Sequence, residues 1–533
     1  MKLSYFNSGD GSGRKQRTKI SQLNFLRPFF FGGIMRFNAT SKGTETTNLA
    51  GGSAYSESPE LELVSILLTS FVSDKFYRSA SAEMTRIKEL VGLIKDKKFV
   101  AKAALYARHE AGMRSISHVV AAEVAAHAKG ELWTKAFFKQ IVKRPDDMAE
   151  ILSCYRSQYG KAIPNCMKKG FRARLESLDD YAAGKYQMTG KTIKLVDLVN
   201  LLHPKATPTL TKLIKGKLKS VDTWEVALSE AGQKATDDES LESLKADAWH
   251  KLISTKKLGY FALVRNLRNI MMQAANSLPA ALGMLVDPVL IKKSGILPFQ
   301  YMTAVEAIKS SGQFYLQDIL KALNAAIEIA LNNIPELPGR TCVAVDVSGS
   351  MAGKPLEIAT LFGAALYKRL NCSLILFSDR AGFVQIPNFD SLLTITEQLR
   401  TLARQMNGGT KFPLIFAHDK PFDRLIILSD MQAWGDVSTK SAYKEWKKRT
   451  GSDPKVFSID LAGAGSLQFP ERNCYALAGW SEKIFDVIAK LEADKAALIA
   501  TINAVTIAER KVIKVAKKST KKSGSKKGGK KGC

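Results

Sequence analysis

Apolar positions in the first two thirds of the chain recur every three or four residues. Leu61, Val64, Leu67, Leu68 and Phe71 follow this spacing, and so do Ile87, Leu90, Val91, Ile94, Val100, Ala104 and Leu105. Side chains so spaced share one face of a helix. From Pro59 to Asn333 the pattern predicts almost nothing but helix. Further segments are expected over 119–127, 132–142, 146–158, 162–182, 192–202, 208–218, 223–231, 240–254, 258–276 and 299–331. Turn signals such as Lys161–Pro164 and His203-Pro204 separate them. Helices joined by short loops predict stacked antiparallel pairs, as in a helical solenoid, although the sequence shows no fixed repeat.

The run Pro335-Glu-Leu-Pro338-Gly339 ends this pattern. Four compact β-branched or apolar runs follow, at 341–345, 373–377, 425–428 and 456–459. Helical segments over 356–370, 391–406, 440–449 and 481–499 lie between and after them. Alternating strands and helices predict a parallel sheet with crossover helices. Strands apolar along their whole length fit burial on both faces.

At 533 residues the chain is too long for one ordinary domain. Its charge is unusual: 79 Lys and Arg against 50 Asp and Glu, a formal +29. The eleven basic residues from Arg510 to Cys533, with no acidic one among them, account for part of it. The rest of the chain is basic too, which points to a polyanionic partner. The six cysteines form no C-x-x-C pair and suggest neither zinc nor disulfides, so a reduced, cytoplasmic protein is expected. No apolar run reaches the length of a membrane span, and no membrane partner is expected. Residues 1–34 carry the broken apolar patch Phe25–Phe31 and are expected as a disordered extension rather than a targeting segment.

The candidate chemistry sits where strands end, which is where open parallel sheets bind ligands. Asp346, Ser348 and Ser350 follow the first strand, Thr410 lies in the Asn407-Gly-Gly-Thr loop, and Asp430 follows the third. Two carboxylates and three hydroxyls on three loops are hard oxygen donors suited to one Mg²⁺ or Mn²⁺. No glycine-rich nucleotide loop follows strand one, and no G-x-S-x-G elbow surrounds Ser348.

The D-x-S-x-S element, the Thr after Gly-Gly and the Asp after an apolar strand together resemble the metal-ion-dependent adhesion site of von Willebrand factor A domains. That resemblance implies direct ligation by Ser348 and Ser350, direct or water-mediated ligation by Thr410, and contact mostly through water for Asp346 and Asp430. A long helical half before such a domain is an uncommon pairing. With Arg86-Ile-Lys-Glu-Leu-Val, Tyr260-Phe-Ala-Leu-Val-Arg-Asn-Leu267, Gly295-Ile-Leu-Pro-Phe299 and Val343-Ala-Val-Asp-Val-Ser-Gly-Ser-Met351, it resembles the Ro ribonucleoprotein, or TROVE-domain, family. The resemblance covers roughly residues 36–500 and implies an α plus α/β protein. A HEAT-like helical-repeat ring over 35–337 would precede a doubly wound, Rossmann-like A domain over 338–500, with a Lys-rich tail over 501–533.

The same resemblance implies RNA as the partner. Small non-coding Y-like RNA would bind the basic outer surface, and single-stranded 3′ ends of structured or misfolded RNA would enter the hole. The bound RNA could tether an exoribonuclease. Two departures stand out: Lys411 replaces the Asp that the family carries after Gly-Gly-Thr, and the Lys-rich tail is foreign to the pattern.

From the residues themselves, Lys161, Asn165, Lys168 and Arg172 fall on one helical face, and Lys169 and Arg174 widen it. Lys185, Lys191, Lys194, His203 and Lys205 follow, with Tyr181 and Tyr186 interleaved. The face reads either as a phosphate-binding surface or as a solvated one. His203 matches a Y RNA-binding position in the family; alone it reads as a helix-ending surface histidine. Arg265 and Arg268 share another face, which suits either RNA phosphates or salt bridges between repeats. Three functions compete: a non-enzymatic RNA scaffold, a metal-dependent ribonuclease using Asp346 and Asp430, and an adhesion module whose metal captures an acidic protein residue. Two-metal hydrolysis needs several carboxylates around ions about 4 Å apart, which disfavours the second.

Overall fold

The computed structural model describes residues 2–5, 44–47, 53–56, 58–69, 80–188, 191–218, 223–311, 316–406, 408–432, 438–461, 466–467, 473–478, 484–493 and 495–507. Phe71, Asn407 and the Lys-rich tail beyond 507 lie outside them, as does most of the 1–34 extension.

Helices fill the chain from Pro59 to Ala330. The amphipathic spacing places them well: Lys97–His109 packs on Ser115–His127, which packs on Asp146–Tyr159. Farther on, Trp224–Lys234 packs on Asp238–Ser254, and that on Tyr260–Gln273. Contacts fall mostly between helices close in sequence, the property of a solenoid.

Two expected helices are divided. The segment 162–182 is two helices, Asn165–Leu175 and Asp180–Lys185. Pro164 delays the first by barring helical geometry at Ile163, and Asp179 starts the second by accepting from Ala182 N at 2.6 Å. Lys161 therefore lies in the turn before the helix and not on its face. Likewise 299–331 is a 3₁₀ turn, Pro298–Tyr301, then Met302–Lys309 and Leu316–Ala330. Two short helices were not expected, Leu278–Leu285 and Pro288–Ser294. The second has a legible signature: Asp287 caps Val289 N at 2.8 Å, Pro288 opens the helix, and Gly295 closes it at φ +65°.

The α/β half is one seven-stranded sheet. In chain order the strands of the molecule are β1 (Lys2–Tyr5), β2 (Thr44–Thr47), β3 (Ser53–Ser56), β4 (Thr341–Asp346), β5 (Ser373–Phe377), β6 (Ala381–Gln385), β7 (Arg424–Ser429), β8 (Lys455–Asp460), β9 (Ser466–Leu467) and β10 (Cys474–Ala478). The large sheet has the order β1-β6-β5-β4-β7-β8-β10, and β2, β3 and β9 form a small sheet. Strands β5, β4, β7, β8 and β10 are parallel, and β6 and β1 continue one edge antiparallel. This is a doubly wound sheet whose order reverses beside β4. The four expected strands are there, with β4 and β7 buried along their whole length. The last helix runs to Ala504, past the expected boundary at 500.

The α/β half touches both ends of the helical run. Helix Pro59–Thr69 packs on β10, and Lys495–Ala504 packs on Lys97–His109. At the other end Leu316–Ala330 packs on Leu392–Arg404. The polypeptide thus closes on itself, and one hydrophobic cluster extends from Leu63 to Ile507. No helix among the described residues is long and apolar enough to cross a membrane.

Candidate functional site

The parallel pairing of β4 with β7 sets their carboxyl ends side by side, with Val345 opposite Leu428. Asp346 ends β4 and Asp430 follows β7; both are fully buried. Asp346 Oδ1 accepts from Ser348 N at 2.9 Å, and Oδ2 accepts from Ser429 Oγ at 2.6 Å. Ser348 Oγ lies 3.1 Å from Ser350 Oγ and accepts from Thr410 Oγ1 at 2.9 Å. The amide of Gly349 donates to Gly408 O at 3.0 Å, tying the first loop to the Gly-Gly-Thr loop. At Gly408 a Cβ would lie 2.4 to 2.7 Å from the Asp379 carboxyl atoms, so a larger residue there would have to displace that side chain. The five predicted metal-site residues therefore lie on adjoining loops, four of them buried and Ser350 exposed.

Burial pushes the Asp346 carboxyl up to about 7, and the charge of Asp430 adds to the rise; hydrogen bonds from Ser429 and Ser348 oppose it. A divalent cation would offset that buried charge, and the converging hydroxyls supply further hard oxygen donors. The donor set fits Mg²⁺ or Mn²⁺ on this ground. Among the described residues no three His, Cys, Asp or Glu side chains converge on one point, so such an ion would depend on the hydroxyls and water. Ser429 belongs to the site and was not expected there; its signal was a hydroxyl between an apolar strand and Asp430.

The second candidate is the basic face. Twelve basic residues stand against four acidic ones between Lys161 and Lys217. Lys161, Lys169, Lys185, Lys191, Lys194, His203 and Lys205 are exposed and Lys168 is half-buried. Arg172 and Arg174 are half-buried and spend hydrogen bonds on the fold. Arg172 Nε donates to Leu202 O, and Arg174 Nε donates to Val142 O at 3.2 Å. They clamp neighbouring helices, and the Arg172 clamp ends beside His203. His203 closes helix Leu195–Leu202 in the left-handed region, at φ +48°. Lys205 N donates to Glu176 Oε1 at 2.9 Å, fixing the loop that presents Lys205.

Arg265 and Arg268 are exposed on helix Tyr260–Gln273, opposite buried Leu263, Val264, Leu267 and Ile270. Neither has a salt-bridge partner among the described residues, so the inter-repeat bridging reading finds no support there. Asn266 turns inward and donates to Ala262 O at 2.9 Å. This helix packs on Asp238–Ser254, Leu278–Leu285 and Met302–Lys309, which sets the two arginines apart from the 161–205 face.

Residues 214–319 match the family model described as the TROVE domain. The chain is 22% identical over 308 residues to a protein of Deinococcus radiodurans named RNA-binding protein RO60, an alignment over 52% of this chain and 57% of that one. The chain thus spans little more than half the length of this curated relative. The crystal structure of the Deinococcus radiodurans RO (RSR) protein superposes with a TM-score of 0.59 at 17% identity, covering 84% of this chain and 100% of that one. The last likeness is one of fold.

Proposed function

We propose that this chain, whose residues 214–319 match the TROVE domain and whose fold is like that of a solved Ro protein, is an RNA-binding scaffold rather than an enzyme. The carrying observation is the exposed lysine face between Lys161 and Lys205, whose lysines carry no salt bridge among the described residues. Lysines held on helices and on the loops that join them, and left to solvent, suit phosphate contacts. The printed name of the Deinococcus relative supports the same partner. In this reading the face takes small, structured non-coding RNA of the Y type. The closed helical half takes single-stranded 3′ ends of structured or misfolded RNA, near Arg265 and Arg268, and a bound RNA can tether an exoribonuclease. The loop cluster around Asp346 holds one Mg²⁺ or Mn²⁺ and captures an acidic residue of a protein ligand. Two carboxylates among three hydroxyls suit ligand capture better than two-metal hydrolysis.

The test is RNA binding by the full chain across a salt titration. Lys168, Lys169, Lys191 and Lys194 are replaced together by Ala; Arg172 is left intact because it clamps a carbonyl. Each lost phosphate contact lowers the slope of log K against log salt by about 0.7 to 0.9. The expected fall is therefore about three units. An unchanged slope and affinity would return the face to ordinary solvated surface.

A further inference from the structure

The basic face contains an ordered aromatic element that charge alone does not explain. Tyr181 stands in the first turn of helix Asp180–Lys185 and is 59% exposed. Lys185 lies one turn later, with its Nζ 5.6 Å from the Tyr181 ring centre and 5.9 Å from that of Tyr186. Arg144 covers Tyr186 at 4.7 Å. Cation and ring therefore alternate along the surface in the order Arg144, Tyr186, Lys185, Tyr181.

The element is held from several sides. Arg144 donates to both oxygens of Asp146, at 3.1 and 2.7 Å, which fixes its guanidinium over Tyr186. Asp179 caps the helix through Ala182 N. The Asp180 carboxylate accepts from Thr209 Oγ1 and from Lys212 Nζ, each at 2.6 Å, so its charge is paired and its helix is tied to helix Pro208–Ile214. A large ring kept in solvent on a helix so tied buries little in the free protein. It has little freedom left to lose on binding, the condition under which aromatic contacts contribute most.

We propose that Tyr181 is a stacking site for an unpaired base of the bound RNA, with Lys185 placed to meet the adjacent phosphate. The inference rests on the reading that this face binds RNA, and it adds what kind of RNA segment lies there. Bases in a duplex are already stacked on their neighbours, so a protein ring can pair only with a bulged, looped or single-stranded base. The lysines contribute affinity for any phosphate backbone; Tyr181 contributes a preference for RNA with an unpaired position.

The experiment compares two RNA hairpins of equal length and charge, each closed by the same non-nucleotide linker in place of a terminal loop, one with an internal unpaired loop and one fully paired. Binding to full-length protein is read by fluorescence anisotropy across a salt titration, with 2-aminopurine in the loop as a stacking reporter. Tyr181→Ala should weaken the looped hairpin by about tenfold, abolish the 2-aminopurine quench, and leave the salt slope and the paired hairpin unchanged. Tyr181→Phe should keep both affinity and quench, since the ring is what stacks. Equal binding of the looped hairpin by wild type and Tyr181→Ala would overturn the proposal. So would an equal loss on both hairpins, the mark of a phosphate contact or a folding defect, or a loss in Tyr181→Phe, the mark of a hydroxyl role. If the wild type bound neither hairpin, the RNA reading of the face would fall first and this proposal with it.

Discussion

Asp346 and Asp430 sit where apolar strands run out into polar loops, and that change of pattern makes them legible in the sequence. Their partner Ser429 is less so, because one hydroxyl at a strand end has many ordinary uses. Asp147 shows what stays hidden. It is fully buried, accepts from Arg108 Nη2 at 2.7 Å and Arg114 Nε at 3.2 Å, and lies 3.0 Å from His118 Nε2. Burial alone would raise its carboxyl; those partners and the Arg144 amide hold it well below the usual range instead. Those side chains lie 29 to 39 residues away in sequence, so no local pattern announces the cluster. For Asp346 the expected outcome concerns metal. Saturating Mg²⁺ or Mn²⁺ should raise the melting temperature by several degrees, since binding to the folded state alone adds about 2.7 kcal/mol at a hundredfold excess over Kd. Asp346→Ala, and Ser350→Ala at the exposed rim, should lose that rise and keep RNA affinity. Mg²⁺-dependent RNA cleavage that vanishes in Asp346→Ala would favour the nuclease alternative.

Helix placement follows from spacing because a helix needs only one apolar stripe to find its neighbour. Boundaries depart from it where capping chemistry outweighs periodicity, at Pro164 and Asp179. Six strands escape the pattern, β1, β2, β3, β6, β9 and β10: they lie at or near sheet edges or in the small sheet, where no continuous apolar run is needed, and β1 forms within the 1–34 segment expected as a disordered extension. Close approach of helices depends on single small residues that periodicity cannot see. Gly170 is one: a Cβ there would lie 2.4 Å from Phe138 Cβ and 2.9 Å from the Phe138 carbonyl carbon. Helix Asn165–Leu175 therefore rests directly on the backbone of helix Thr134–Gln140. Gly170→Ala gains helix propensity of about 1 kcal/mol, yet overpacking of this kind costs about 1–3 kcal/mol. Urea unfolding should show net destabilisation. A more stable Gly170→Ala protein would mean that the two helices separate easily.

Closure of the whole polypeptide cannot be read from the sequence, because it depends on contacts between its ends. Phe299 of the helical half stacks on Phe362 at 4.2 Å, and Phe362 on Phe485 at 5.5 Å, so three rings from distant segments fill the junction. Lys490 bonds Tyr106 and covers its ring at 4.7 Å, and Lys102 bonds the carbonyl of Asn503. Buried Arg424 joins Glu492 to the linker carbonyls of Leu337 and Pro338. The closed body carries the lysine face on helices and their connecting loops, and in the scaffold reading selective RNA binding belongs to that body rather than to the Lys-rich tail. The most direct measurement is RNA affinity at 0.15 M salt for the full chain and for a chain lacking residues 510–533. Removing eleven basic residues should weaken binding to all RNAs. The shortened protein should still bind a structured RNA with a single-stranded 3′ end more tightly than a plain duplex of equal charge. A shortened protein that no longer binds RNA at this salt would place the binding in the tail and contradict the scaffold reading.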